Sequence, residues 1–224
     1  MSAVLDIEVG FDFICPWCLI GKRNLDTALA LLRAERPEVA ARLHWRGVQL
    51  LPDAPAAGWP FMEFYRRRLG GEAAVRQRQA QVQRFADAAG VRIAYEAIAV
   101  MPNTADAHRL LAWAGTQGDA ARRDALLERL LCAYFEEGED IGNPLLLLAH
   151  GEAAGYERVA MQAELRGAGQ TYRAGPIISG GVPYFSINGG RALSGAQPPE
   201  TLLAALRDAL AAPPAVPGTH TRPL

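Results

Sequence analysis

The spacing of apolar residues changes twice in the first fifty positions of the chain. Apolar side chains stand at every second position over residues 5–13, which predicts a strand. Apolar positions then recur at helical spacing over residues 15–36, and a second strand is predicted over 43–50. A strand, a long helix and a second strand imply parallel pairing with a right-handed crossover.

A long helical segment follows a run of prolines that begins at Pro52. We call residues 54–175 the helical block. Its one candidate strand is Arg92–Tyr95, and Asn103 is expected to cap the third helix at its start. The predicted helices are Pro60–Leu69, Glu72–Ala89, Thr104–Gln117, Ala120–Glu137, Pro144–Ala153 and Tyr156–Ala174.

Strand character returns after the helical block. Residues 183–187 read as a strand, Asn188-Gly189-Gly190 as a hairpin turn and 191–193 as the return strand. A final helix is predicted over 199–211, and the tail 213–224 is predicted to be disordered. The predicted fold is therefore an α/β core, residues 1–53 plus 176–212, interrupted by an all-helical insertion at 54–175.

Composition narrows the classes of protein that fit this pattern. The chain has 224 residues, is 50% apolar and carries a formal net charge of -1, so nothing indicates a nucleic-acid partner. No apolar run approaches the ~18 residues of a membrane-spanning helix, and the N-terminus does not resemble a signal peptide. We expect a cytosolic protein with no membrane partner. In that compartment a cysteine pair is more often catalytic or redox-sensing than structural.

The candidate chemistry lies where the first strand gives way to the first helix, at Cys15-Pro16-Trp17-Cys18. Two intervening residues put both thiols on one helix face, close enough to form a disulfide. The helix start favours the thiolate of Cys15, and Pro16 fits the first helical position. Trp17 would lie on the exposed tip. A reactive thiolate beside a second thiol is what thiol–disulfide exchange requires.

Two other interpretations of the cysteine pair are open. Cys-x-x-Cys is also half of a zinc site, but the third cysteine, Cys132, and the four scattered histidines do not supply matching ligands. Alternatively, both cysteines are inert and buried. Cys132 itself is expected to be an inert core residue. We predict no metal site.

Other residues have an ordinary structural interpretation beside a functional one. Pro183 could simply begin a strand. The turn before the last helix could only cap it, or its N–H groups could bind an anion. Asp12 is either a solvated strand end or a proton relay for the cysteines. His108 and Arg109 are assigned to packing and capping, with lining of the substrate cleft as the alternative.

Together these segments resemble the FrnE-like branch of the DsbA thioredoxin-fold family. The resemblance covers about residues 4–212, and its strongest part combines the cysteine motif with Gly181-Val182-Pro183. The matching stretches are Cys15-Pro16-Trp17-Cys18, Ile20–Arg23, Asn103–Arg109, Ala133–Gly142, Gly181–Phe185 and Ser194–Pro198.

The resemblance implies a thioredoxin-like core with the helical insertion, and it implies roles for particular residues. Cys15 would attack the substrate sulfur and Cys18 would resolve the mixed disulfide. A cis Pro183 would face the pair, and Val182 would position an extended substrate. The helical block would cover the cleft beside Trp17. Related isomerases use the corresponding turn to hold a glutathione carboxylate. The resemblance therefore implies that role here for Ser194, Gly195 and Gln197.

We therefore expect a thiol–disulfide oxidoreductase whose partners are protein, peptide or glutathione disulfides or dithiols. No cofactor is required, although glutathione is a plausible redox partner, and a homodimer is left open. One alternative is a glutathione-assisted isomerase of the 2-hydroxychromene-2-carboxylate type, or a polyketide-pathway tailoring enzyme. That branch typically has serine at the position of Cys15. The other alternative is a non-enzymatic peptide-binding module.

Overall fold

The two segments that the sequence assigns to the core supply the strands of a four-stranded mixed sheet. The computed structural model describes residues 3–167, 170–173, 181–190 and 192–211. The strands are β1 (Val4–Phe11), β2 (Ala40–Gly47), β3 (Trp59–Pro60), β4 (Val100–Met101), β5 (Tyr184–Ile187) and β6 (Leu193–Ser194). The helices are α1 (Pro16–Glu35), α2 (Phe61–Leu69), α3 (Glu72–Ala88), α4 (Ala105–Thr116), α5 (Ala120–Phe135), α6 (Pro144–Ala153), α7 (Arg158–Gln162) and α8 (Pro199–Ala211).

The sheet order is β2-β1-β5-β6, with β1 and β2 parallel and the other neighbours antiparallel. The register pairs Phe11 with Gly47 at one end of the parallel ladder and Gly10 with Tyr184 across the antiparallel one. Gly10 is required there, because a Cβ atom at this position would lie 1.9 Å from the Tyr184 ring. The ends of β1 and β2 and the start of β5 therefore meet at one edge of the sheet.

Helices α1 and α8 cover one face of this sheet. Their apolar faces and the inward side chains of β1 and β5 form a buried cluster that includes Leu5, Ile7, Leu25, Leu202 and Leu206. Each of these side chains is 1% exposed or less. Burial of a leucine or isoleucine contributes about 1.5–3 kcal/mol, so this cluster anchors α1 firmly on the sheet.

A second, larger cluster joins the helical block to the core. It runs from Phe11, Phe13, Cys15 and Cys18 into the apolar faces of α3 to α6, which include Leu110 and Leu130. The short pair β3–β4 lies within this part of the chain. The cysteine motif is therefore packed between the sheet and the helical block.

Most of the predicted elements are present, with three corrections. The second strand begins at Ala40 and ends at Gly47, because its ladder with β1 stops at Phe11. Residues 92–95 form no strand, since the N–H of Ala94 donates to the Phe135 carbonyl. The helix expected over 156–174 is only Arg158–Gln162 among the described residues.

Two predictions fall outside the described residues. The domain boundary at 176 lies in the segment 174–180, and the tail 213–224 is also not described. The division into 1–53 plus 176–212 and 54–175 stays a prediction. No helix among the residues described is both long and apolar enough to cross a bilayer.

Candidate active site

The cysteine motif caps the first helix at its N-terminal end. Cys15 is the N-cap residue, and its carbonyl accepts hydrogen bonds from the N–H groups of Cys18 and Leu19. Pro16 follows at the first helical position, where a missing N–H costs no hydrogen bond. The local sequence thus places the thiol of Cys15 at the positive end of a 20-residue helix.

Both thiols are free and both are buried, Cys15 at 7% exposure and Cys18 at 4%. Both are buried because the helical block packs over the motif. Burial raises the pKa of the Cys18 thiol well above its ordinary value. A hydrogen bond to Cys15 and the negative charge of Cys15 raise the pKa of Cys18 further. Cys18 therefore holds its proton at neutral pH.

The Val182–Pro183 segment lies against the cysteine motif. The peptide bond between these residues is cis. The Sγ atom of Cys15 lies 3.9 Å from the Val182 carbonyl oxygen, although 167 positions separate the two residues. Gly21 lets α1 approach closely, since a Cβ there would stand 3.2 Å from the Pro183 ring. The backbone of Val182 is thus within reach of a group bound at Cys15.

The turn that contains Ser194, Gly195 and Gln197 lies beside the same proline. The N–H of Gly195 donates to the Pro183 carbonyl at 2.8 Å, and Gly195 has a φ of 83°, which favours glycine. The side chain of Asn24 in α1 donates to the Gln197 carbonyl at 2.9 Å. These bonds hold the turn between α1 and Pro183, so three separate chain segments meet around the thiols.

Asp12 is fully buried at the end of β1, three residues before Cys15. One carboxylate oxygen accepts the N–H of Leu50 at 2.7 Å, and the other lies 3.0 Å from Nε2 of His108 in α4. The charge of Asp12 also raises the pKa of Cys18, whereas a backbone hydrogen bond of Asp12 lowers it. Of the two interpretations of Asp12, a solvated strand end is wrong.

His108 packs in the interior as expected, but the sequence did not predict its contact with Asp12. It is 1% exposed, stacks on Tyr172 and contacts the rings of Phe11 and Phe13. Its Nδ1 atom has no hydrogen-bond partner among the described residues. A histidine on the apolar face of α4, within a stretch that carries the family resemblance, was the signal that could have identified it. Arg109 instead forms an ion pair with Asp106.

Trp17 is half-buried and not on an open tip. Its indole ring meets Phe85 of α3 edge to face at 5.2 Å, so α3 packs beside the start of α1.

Cys132 is also only half-buried, where a core position was expected. Burial and a hydrogen bond to Glu128 raise the pKa of the Cys132 thiol to about 12, which keeps the thiol protonated and poorly nucleophilic. Among the described residues, no three His, Cys, Asp or Glu side chains are grouped so that they could hold a metal ion.

Comparisons with known proteins support the fold. The family model of the DSBA-like thioredoxin domain matches residues 6–207. A probable DsbA oxidoreductase from Streptomyces coelicolor is similar in structure, with a TM-score of 0.78 and 23% identity over 97% of this chain and 94% of that one. A search of curated proteins by sequence found no match.

Two further structures share the fold at lower similarity. A 2-hydroxychromene-2-carboxylate isomerase aligns with a TM-score of 0.56 and 14% identity, over 92% of this chain and 94% of that one. The cytosolic disulfide reductase DsbM from Pseudomonas aeruginosa, in a structure with GSH, aligns with a TM-score of 0.53 and 17% identity, over 92% and 100%. These identities show a common fold only. The family match spans most of the chain, and the chain therefore belongs to the family of DSBA-like thioredoxin domains.

Proposed function

We propose that the protein is a thiol–disulfide oxidoreductase that exchanges disulfides through Cys15 and Cys18. The observation that carries this proposal is the contact of Cys15 Sγ with the Val182 carbonyl, 3.9 Å away. It sets a free cysteine pair against a backbone segment that can pair with an extended substrate, as in strand addition. Neither an inert structural pair nor a zinc site requires that arrangement.

In the proposed reaction, the Cys15 thiolate attacks one sulfur of a substrate disulfide. A Cys15–substrate disulfide forms, and the other substrate sulfur leaves with the electron pair as a thiolate. Cys18 then loses its proton and attacks the Cys15 sulfur, which releases the second substrate thiolate and leaves a Cys15–Cys18 disulfide. The substrate is reduced by two electrons and the protein is oxidised by two.

The second step needs a proton acceptor, because burial raises the pKa of Cys18. We assign this role to Asp12, whose carboxylate is buried within the electrostatic reach of Cys18. His108 and the N–H of Leu50 hold the two carboxylate oxygens in place. His108 is thus a positioning residue that acts through Asp12.

Glutathione is proposed as a redox partner that would return the protein to its starting state. The Ser194–Gln197 turn is a suitable place for its carboxylate, since it lies beside Pro183 and leads into the N-terminus of α8. The cytosolic location expected from the sequence also stays a prediction. In that compartment the protein would act as a reductase, because thiols there are kept reduced.

The test is the replacement Cys18→Ser in a Cys132→Ser background, incubated with oxidised glutathione and analysed by intact mass. We expect a stable glutathione adduct on Cys15, because no second thiol remains to release it. Multiple-turnover reduction should fall steeply in the same variant. The matched control, Cys132→Ser alone, should keep full turnover and accumulate no adduct.

A glutathione-assisted isomerase would give a different outcome. It has no resolving step, so it would tolerate Cys18→Ser and hold glutathione without a covalent bond. Absence of the adduct, together with unchanged turnover of a chromene-type substrate, would contradict the oxidoreductase proposal.

A further inference from the structure

A cleft lies beside the cysteine motif, between the start of α1 and the helices α2 and α3. Its volume is about 310 Å³. Its lining includes Pro16, Trp17, Tyr65, Arg68, Arg78 and Tyr95, and we call it the arginine cleft. A cleft of this size suits a small molecule, since ligand pockets run from about 300 to 1,000 Å³.

The arginines of the cleft differ from their neighbours on the same helices. Arg66 and Arg76 pair with Glu72, and Arg67 pairs with Glu63. Arg68 and Arg78 have no carboxylate partner within the described part of the chain, although Arg68 also lies over the Phe64 ring. Among the residues that the structure describes, no Asp or Glu lines the cleft. The cleft therefore presents two unneutralised positive charges.

Two tyrosine hydroxyls add hydrogen-bond donors. The hydroxyl oxygen of Tyr95 is buried and has no hydrogen-bond partner among the residues that the structure describes. The pKa of Tyr65 is raised to about 12, chiefly by burial and also by the negative charge of Cys15, while Arg68 and Arg78 oppose the rise. Both tyrosines keep their protons at neutral pH. Pro16 and Trp17, the two residues that follow Cys15, line the cleft, so the cleft lies close to that thiol.

The remaining wall of the cleft is mainly apolar, with the amide of Gln79 as a further polar group. Trp17 presents an indole ring, and the side chains of Phe61, Val75 and Val82 beside it are buried. An aromatic group stacks well on such a wall. A guanidinium in turn matches the planar geometry of a carboxylate. The lining is thus complementary to a flat apolar group that carries a carboxylate.

We propose that the arginine cleft binds one half of a small disulfide substrate, a half that carries a flat apolar group and a carboxylate. The proposal rests on the proposed function and adds its substrate class. Attack by the Cys15 thiolate forms a bond to the other substrate sulfur. The half in the cleft leaves as a thiolate with the electron pair, and its negative charge increases beside Arg68 and Arg78.

The test compares two aromatic disulfides that differ in charge. Reduced protein in a Cys132→Ser background is mixed with dithiobis(nitrobenzoate), which carries a carboxylate on each ring, or with neutral dithiodipyridine. Release of the coloured thiol in a single turnover gives the second-order rate constant. We expect Arg68→Ala and Arg78→Ala each to lower the rate constant for the carboxylate disulfide about three- to fivefold. The rate constant for the neutral disulfide should change less than about twofold.

The matched controls are Arg67→Ala and Arg76→Ala, which remove charges from the same helices but outside the cleft. They should leave both rate constants unchanged. Equal losses in the control variants would mean general charge steering, and equal losses with both disulfides would mean a structural effect. Either result, or no change in Arg68→Ala and Arg78→Ala, would overturn the cleft proposal. Failure of both disulfides to react with Cys15 would instead contradict the proposed function.

Discussion

At the scale of single residues, Asp12 could act on Cys18 in two ways that have opposite kinetic effects. As a fixed negative charge, it raises the pKa of Cys18 and so disfavours the thiolate. As a proton acceptor, it removes the proton during the second step of exchange. Its carboxylate is completely buried, and hydrogen bonds to both oxygens hold it in one position.

The variant Asp12→Asn separates the two roles. We expect release of a glutathione adduct from Cys15 to slow about 10- to 100-fold at neutral pH, because the acceptor is lost. The rate should recover as pH rises, since hydroxide then removes the Cys18 proton. The pH at the midpoint of this recovery should be lower than in the parent protein, because removal of the Asp12 charge lowers the pKa of Cys18. Rapid-quench mass analysis across pH measures both effects.

The exposed carboxylate of Asp53 provides the control, since Asp53→Asn should leave the profile unchanged. Faster release by Asp12→Asn at neutral pH would show that Asp12 acts only as a charge.

At the scale of elements, an ion-pair cluster fastens α1 to α5. Lys22, 8% exposed, has its ammonium 2.8 Å from carboxylate oxygens of both Asp26 and Glu128. Arg23 also pairs with Glu128. The Lys22 ammonium and the Oε2 atom of Glu128 are close enough to form an ion pair, although this oxygen accepts no hydrogen bond from the described residues. Burial lowers the pKa of Lys22 and its two carboxylate partners outweigh this, so the lysine stays charged.

Replacing Glu128 with Gln should therefore destabilise the protein by about 1–3 kcal/mol, because the buried ammonium of Lys22 loses one of its two counter-charges. Urea unfolding measures the change in free energy. The control is Glu72→Gln, which removes a carboxylate from exposed pairs and should cost less than about 1 kcal/mol. Equal losses in the two variants would show that burial of Lys22 adds nothing.

Elements that depend on local sequence were predictable. The bounds of α6 and α8 agree with the pattern of apolar residues and, for α6, with the Asn143 cap and the following proline. The helix expected to run through residue 174 was not predictable, because Asp106 of α4 accepts the N–H groups of Arg166 and Gly167. That contact spans 60 residues, and no local pattern encodes it.

The candidate site divides in the same way. The cysteine pair and the Val182-Pro183 segment carry local motifs and were named from the sequence. The Asp12–His108 pair and the arginine cleft arise where distant elements pack together. The sequence left two interpretations of Asp12 open and did not predict the arginine cleft, because pairing between α1, α2, α3 and α4 has no periodic signature.

At the scale of the whole molecule, the larger apolar cluster makes the core and the helical block dependent on each other. It contains Phe13 and Cys18 from the core and Leu126 and Leu130 from α5, all nearly inaccessible to solvent. Neither part keeps this surface buried without the other. We therefore expect one cooperative unfolding transition.

Tryptophan fluorescence and far-ultraviolet circular dichroism should give coincident urea transitions. Leu130→Ala should shift both by about 2–5 kcal/mol, because it leaves a cavity in the shared cluster. Leu145→Ala, at a position 67% exposed, should shift neither by more than about 0.5 kcal/mol. Separate transitions, or a shift confined to one probe, would contradict the expectation.

For the proposed function, the contact between Cys15 and Val182 also determines when the protein can first act during its synthesis. The two residues are 167 positions apart, and ribosomes add roughly 5–20 residues per second. The thiols therefore leave the ribosome roughly 8–33 s before the strand that faces them. Through that interval the nascent chain carries the cysteine pair without the backbone that we propose pairs with the substrate, so the proposed exchange can begin only after Val182 has been synthesised.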